Sequence, residues 1–135
     1  MFRGLDERVL VAGQIRPEDV EAAKAEGVTL IVNNRPDGEE AGQSTSAEIG
    51  EAARAAGLAY RHIPIASGFS VEQVAAMAEA IGDAEGKTLA FCKSGTRSTF
   101  LWALARSQAG ADSEELVRKA AEAGYDLAPI RSYLG

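Results

Sequence analysis

One cysteine, one histidine, one tryptophan and four prolines are all that the 135 residues hold of four residue types that often organise small proteins. A lone cysteine cannot close a disulfide within the chain, so the fold must rest on its own core, and a reducing, cytoplasmic setting is expected. The single histidine, His62, has no cysteine, carboxylate or second histidine at ligand spacing. It reads as a strand residue satisfied by its neighbours, and no metal site is expected. No apolar run approaches the roughly 18 to 20 residues that span a bilayer. The opening "MFRGLDERVL" lacks the long apolar core of a signal peptide, so export is not expected. Positive charge is also scarce. Fourteen lysines and arginines against twenty acidic residues give a net charge of −6, which argues against a nucleic-acid or anionic-membrane partner. No motif requires a cofactor.

What is present fits one globular domain spanning 1–135, with 46% hydrophobic and 25% charged residues. "VLVAGQI" (9–15) predicts a strand, and Pro17 suits the first turn of a helix that runs to about Glu26 and closes at Gly27. "VTLIVNN" (28–34) is a β-branched run of the type buried on both faces of a parallel sheet. A polar loop, "RPDGEEAGQSTS", follows it. Thr45 and Glu48 make a capping box for an alanine-rich helix ended by Gly57. "AYRHIPI" (59–65) is a further strand, with Pro64 near its end, where a missing N–H is tolerated.

Ser70 and Gln73 form a second capping box ahead of Val71, Val74, Ala75, Ala78 and Ile81 at helical spacing. A strand over 88–92, a helix over 98–109 and another opened by Ser113 follow. A short helical tail ends at Leu134. Strands alternating with helices predict an α/β fold, a mostly parallel central sheet of about four to five strands flanked by helices. Ligands bind such sheets outside the carboxyl ends of the strands. The loops 33–44, 65–70 and 92–97 should gather there, with Arg35, Asp37 and "ASGFS" facing Cys92.

The chemistry concentrates in "CKSGTRS". A thiol at the mouth of a helix, with Arg97 held nearby, is stabilised as its anion. Gly95 lets the loop curl until successive N–H groups converge. Cys92 and Arg97 are therefore the expected catalytic pair, and Lys93, Ser94, Gly95, Thr96 and Ser98 the anion-binding loop, the Ser98 hydroxyl being placed for a bond to the thiolate. The Lys93 ammonium is either solvated or draws in anionic donors. Arg35 and Asp37 are secondary candidates. Trp102 and Leu101 read as core on the helix after the loop.

This loop resembles two families. Cysteine-dependent phosphatases carry Cys, five residues and Arg around a phosphoryl group; rhodanese-like sulfurtransferases carry a shorter loop that holds a persulfide. Here four residues separate Cys92 from Arg97, and a smaller cradle suits a single sulfur atom. "VAGQI", "LIVNNRPDGEE", "YRHIPI" and "CKSGTRS", in that order, resemble the β-lactamase-hydrolase-like family of phosphatase-like domains. The resemblance implies a dual-specificity-phosphatase-like fold, and a sulfur dioxygenase as an expected partner.

Dual-specificity phosphatases keep a general acid after the strand that corresponds to "HIPI". Here Ala66, Ser67 and Gly68 stand there, and Asp37, Glu39 or Glu40 could substitute only if their loop folds over the thiol. Loop length and the missing acid lead to the expectation of a rhodanese-type sulfurtransferase. A Cys92 persulfide would take sulfur from a small sulfur-containing anion and pass it to an external thiol or sulfite acceptor. The alternatives are a cysteine-dependent phosphatase acting on a phosphoester through phosphocysteine, and a non-catalytic anion-binding adaptor.

Overall fold

Alternation inside short apolar runs decides which residues cover which side of the sheet. In the computed structural model, which describes residues 2–135, five strands form one sheet: Arg3–Gly4 (β1), Val9–Ala12 (β2), Val28–Asn33 (β3), Ala59–His62 (β4) and Lys87–Phe91 (β5). Their order is β1-β2-β5-β3-β4, with β2, β5, β3 and β4 parallel and β1 antiparallel at the edge. Val9 and Val11, Leu30 and Val32, and Ala90 face one core. Leu10 and Ala12, Ile31, and Leu89 and Phe91 face the other.

Helices complete the two layers. Helix α1 (Val20–Ala25), entered through a 3-10 turn at Pro17–Asp19, and α2 (Ser46–Ala55) cover the second core with Val20, Ala23, Ile49 and Ala53. Helices α3 (Val71–Asp83), α4 (Thr96–Gln108) and α5 (Ser113–Glu122) cover the first with Met77, Leu101, Trp102 and Leu116, joined by the 3-10 stretch Ala128–Tyr133. Both capping boxes form: Thr45 Oγ1 accepts from Glu48 N and Ser70 Oγ from Gln73 N, each at 3.1 Å. Among the described residues no helix is long and apolar enough to cross a membrane.

Strand β5 lies between β2 and β3, whose following helices pack on one side of the sheet, while the helix after β5 packs on the other. The chain thus diverges on both sides of β5's carboxyl end, the place where open sheets leave a crevice. Cys92 stands there.

Three expected boundaries are corrected and one strand is added. β1 was not anticipated, because two exposed residues carry no periodic signal. β2 ends at Ala12, not at Ile15, since Gly13 must pass close to the Lys93 backbone: a Cβ there would lie 3.0 Å from its carbonyl oxygen. β4 ends at His62, although Ile63 N and Ile65 N still donate to Asn33 and Asn34 carbonyls (2.9 Å each), with Pro64 between two donors where it owes none. α4 opens at Thr96, which puts Arg97 inside the first turn.

Candidate active site

The cradle is built from the ends of three neighbouring strands. After β5, Cys92 N donates to Ala12 O (3.4 Å), and Asn34 N donates to Phe91 O (2.8 Å). This sets the starts of the Gly13 and Arg35 loops on either side of the thiol. Cys92 is fully buried. Its sulfur is not turned into apolar packing, however: Gly95 N donates to Sγ at 3.1 Å. Gly95 reaches this position with φ +93°, a conformation that only glycine adopts without strain. A Cβ there would also overlap the Tyr125 hydroxyl.

That hydroxyl donates to Ser94 O (3.0 Å), so Tyr125 braces the loop from outside. Burial raises its pKa, and charge on Cys92 adds to the effect against the opposing Arg3 cation. Thr99 Oγ1 and N both hold Gly95 O (2.8 and 2.9 Å), anchoring the loop to α4. The first N–H groups of a helix lack acceptors within it, so the mouth of α4 turns donors toward an anion.

Arg97 is fixed by three hydrogen bonds. Nη1 donates to Glu39 Oε2 (2.8 Å) and to Ile65 O (2.6 Å), and Nη2 donates to Glu39 Oε1 (2.9 Å). Glu39 Oε1 also accepts from Arg35 Nε at 2.8 Å. Hydrogen bonds from Arg97, then from Arg35, hold the Glu39 carboxyl down to about 2. The Glu39 hydrogen bond in turn raises Arg97, with the Cys92 sulfur adding to the rise against partial burial.

Because Glu39 is depressed, its stabilising charge is complete above the ordinary carboxylate range and is lost only as pH falls toward about 2. Glu39 is therefore ionised at neutral pH. In this pairing it cannot donate a proton.

Other candidates take different places. Arg35 is 1% exposed and also donates from Nη1 to Gln14 Oε1 (3.0 Å) and from Nη2 to Glu40 Oε1 (3.4 Å), so it belongs to the site. Asp37 does not join it: Oδ1 accepts from Ser46 N (2.8 Å) and ties the loop to α2. Ser98 is buried, but it gives its hydroxyl proton to Asn34 Oδ1 (2.8 Å) and not to the thiolate. Ser94 Oγ and Thr96 Oγ1 bond each other at 3.1 Å. Lys93 is exposed, while its carbonyl accepts from Gln14 N (3.2 Å). His62 Nε2 meets Arg35 O at 2.8 Å, a strand residue satisfied by its neighbour.

The sequence reading missed Gln14 and Tyr125. Glu39 was one acidic residue among three in its loop, and nothing in "RPDGEE" singles it out.

The model of the family described as beta-lactamase hydrolase-like protein, phosphatase-like domain, matches residues 1–111. The chain belongs to this family. The beta-lactamase hydrolase-like protein of Agrobacterium fabrum is 37% identical over 107 residues, 78% of this chain, and that of Xylella fastidiosa 35% identical over 132 residues, 96% of it. The chain spans only 25% and 31% of those relatives' lengths.

A candidate phosphatase from Neisseria meningitidis of known crystal structure is 33% identical. It superposes with a TM-score of 0.85 over 98% of this chain and 94% of its own. P. aeruginosa TpbA, solved in complex with pTyr, shares the fold alone, at 16% identity and a TM-score of 0.65 over 87% of this chain and 70% of that one. These relatives favour the phosphatase alternative over the sulfurtransferase expectation. The phosphatase-like fold expected from the family resemblance is the one observed.

Proposed function

We propose that the chain is a cysteine-dependent phosphatase that cleaves phosphomonoesters through a phosphocysteine on Cys92. The observation that carries the reading is the joint placement of Sγ, the Gly95 N–H and the Arg97 guanidinium at the mouth of α4, in a chain of phosphatase-like fold. In the first step Sγ attacks phosphorus. The S–P bond forms as the P–O bond to the leaving group breaks, and that oxygen leaves with both electrons of the broken bond. Loop N–H groups and Arg97 stabilise charge on the transferred phosphoryl oxygens. In the second step water attacks the same phosphorus, releases inorganic phosphate and returns the thiolate.

Among the described residues no carboxyl group is held toward the thiol: Glu40, which lines the neighbouring cleft, leans on Arg35 at 3.4 Å. Glu39 is ion-paired with both arginines, Asp37 is held by Ser46 N–H, and 66–68 carry no carboxyl group. The leaving group must then depart as a stable anion or take its proton from water. Aryl phosphates should be cleaved well and simple alkyl phosphates poorly.

The test is hydrolysis of an aryl phosphate with vanadate as inhibitor, beside mass spectrometry of the protein after thiosulfate. Phosphate release blocked by vanadate is expected. One sulfur added to Cys92, without phosphate release, would return the assignment to the sulfurtransferase reading, which the four-residue loop favours.

Glu39 has a positioning role in this reading, because it grips the edge of Arg97 defined by Nη1 and Nη2. Glu39→Gln should lower kcat/KM on an aryl phosphate about tenfold or more, since small misplacements of a clamping group are costly. The thermal midpoint should fall as well, because Glu39 offsets the buried Arg35 guanidinium, so rates are compared at a temperature where both proteins stay folded. An unchanged kcat/KM would remove Glu39 from the site's function.

A further inference from the structure

Beside the cradle lies a polar cleft of about 330 Å³ whose walls include Gln14, Arg16, Arg35, Glu40, Gln43 and Lys93. It is joined to the cradle by a continuous run of contacts. Arg97 is held by Glu39, Glu39 by Arg35, Arg35 by Gln14, and Gln14 N by the carbonyl of Lys93, the residue after the nucleophile. The run begins in the first turn of α4 and ends in the loop that leads into it. Cradle and cleft therefore share one wall.

Charge in the cleft opposes that of the molecule as a whole. Three cations line it against one carboxylate, in a chain of net charge −6. Among the described residues neither Arg16 nor Lys93 takes part in an ion pair. Arg35 is a buried guanidinium, already aligned by Glu39, Gln14 and Glu40. The Gln43 side chain donates from Nε2 to Pro36 O (2.9 Å), while its Oε1 is buried without a partner.

We propose that this cleft is the leaving-group subsite and takes a second anionic group, so that the substrate is a phosphomonoester whose leaving group itself carries a carboxylate or a phosphate. The inference rests on the phosphatase reading and narrows its substrate class. Arg16 and Lys93 supply unpaired charge at the rim, and Arg35 supplies a fixed guanidinium behind them. Glu40 stands against the incoming anion. Its carboxylate touches Arg35 at 3.4 Å and is 57% exposed, free to swing toward solvent.

The experiment compares kcat/KM for 3-carbamoylphenyl phosphate, 3-carboxyphenyl phosphate and 1,3-phenylene bisphosphate, the first matching the second in shape but not in charge. A preference of about fivefold or more for a charged substrate is expected from two or three partly exposed ion pairs. Which charged substrate leads identifies the group. The preference should shrink toward one in Arg16→Gln and also in the unaltered protein at about 1 M salt, where the screening length falls to about 3 Å. Equal hydrolysis of the neutral and charged substrates would overturn the subsite and leave the phosphatase reading standing. No hydrolysis of any of the three would overturn the phosphatase reading, and the subsite with it.

Discussion

Serine in place of Cys92 is expected to abolish aryl phosphate hydrolysis, a loss of about ten-thousandfold or more, while inorganic phosphate still binds. The two side chains differ by one atom. The Gly95 N–H that donates to Sγ at 3.1 Å and the Arg97 guanidinium held by Glu39 and Ile65 O both remain. What disappears is a polarisable nucleophile that can carry the phosphoryl group. Initial rates and calorimetric phosphate titration, made on the same preparations, separate chemistry from binding. An adaptor that merely holds anions has no turnover to lose, so measurable hydrolysis by the parent protein already excludes that reading. Activity within tenfold of the parent in Cys92→Ser would remove the thiol from the reaction.

Trp102→Ala should destabilise the fold by about 3–5 kcal/mol, the range for truncating a large buried aromatic side chain. Trp102 is fully buried on α4, and its Nε1 donates to Asp6 Oδ2 at 2.7 Å. The cost is thus a cavity together with a carboxylate that loses one of its donors. Asp6 is also bonded by Arg106 Nε (3.0 Å) and by the N–H groups of Arg8 and Val9 (2.8 and 2.9 Å). Burial alone would raise its pKa, but the hydrogen bonds from Trp102, Arg8 and Arg106 outweigh burial and hold it below 3.8.

A depressed carboxylate contributes fully above its unfolded value and loses that contribution as pH falls through the folded one. Urea midpoints should therefore decline below about pH 4 in the parent protein and decline less steeply in Trp102→Ala. A midpoint shift equivalent to under about 1 kcal/mol would mean that the surrounding core collapses into the space.

How far the molecule could be read in advance differs between its layers. Strands buried on both faces announce themselves by composition, as in "VTLIVN", and helices by their caps, as at Thr45 and Ser70. These signals are local, and together they place the carboxyl ends of β3, β4 and β5 on one edge, with Cys92 among them. The partners that hold the cradle are not local. Glu39 reaches Arg97 across 58 positions, and Tyr125 reaches Ser94 across 31.

Glu39 differs from its neighbours only in how the loop turns. Gln43 Nε2 on Pro36 O and Ser46 N on Asp37 Oδ1 set that path, and neither bond follows a periodic pattern. Ser98 shows the converse error. The position of a hydroxyl next to the arginine predicts a bond to the thiolate, but the buried Asn34 Oδ1 takes its proton at 2.8 Å. Loop length speaks for sulfur by count alone, and a count of residues between Cys92 and Arg97 does not reveal what surrounds the loop.

The three hydrogen bonds on Arg97 have a further consequence for how a ligand arrives. A long cationic side chain that is free in solution surrenders about 1.5–2 kcal/mol of rotamer entropy when a ligand immobilises it. Here folding has already exacted that cost. Association should consequently proceed as lock and key, with little induced fit, and empty and loaded crystals should superimpose around this guanidinium.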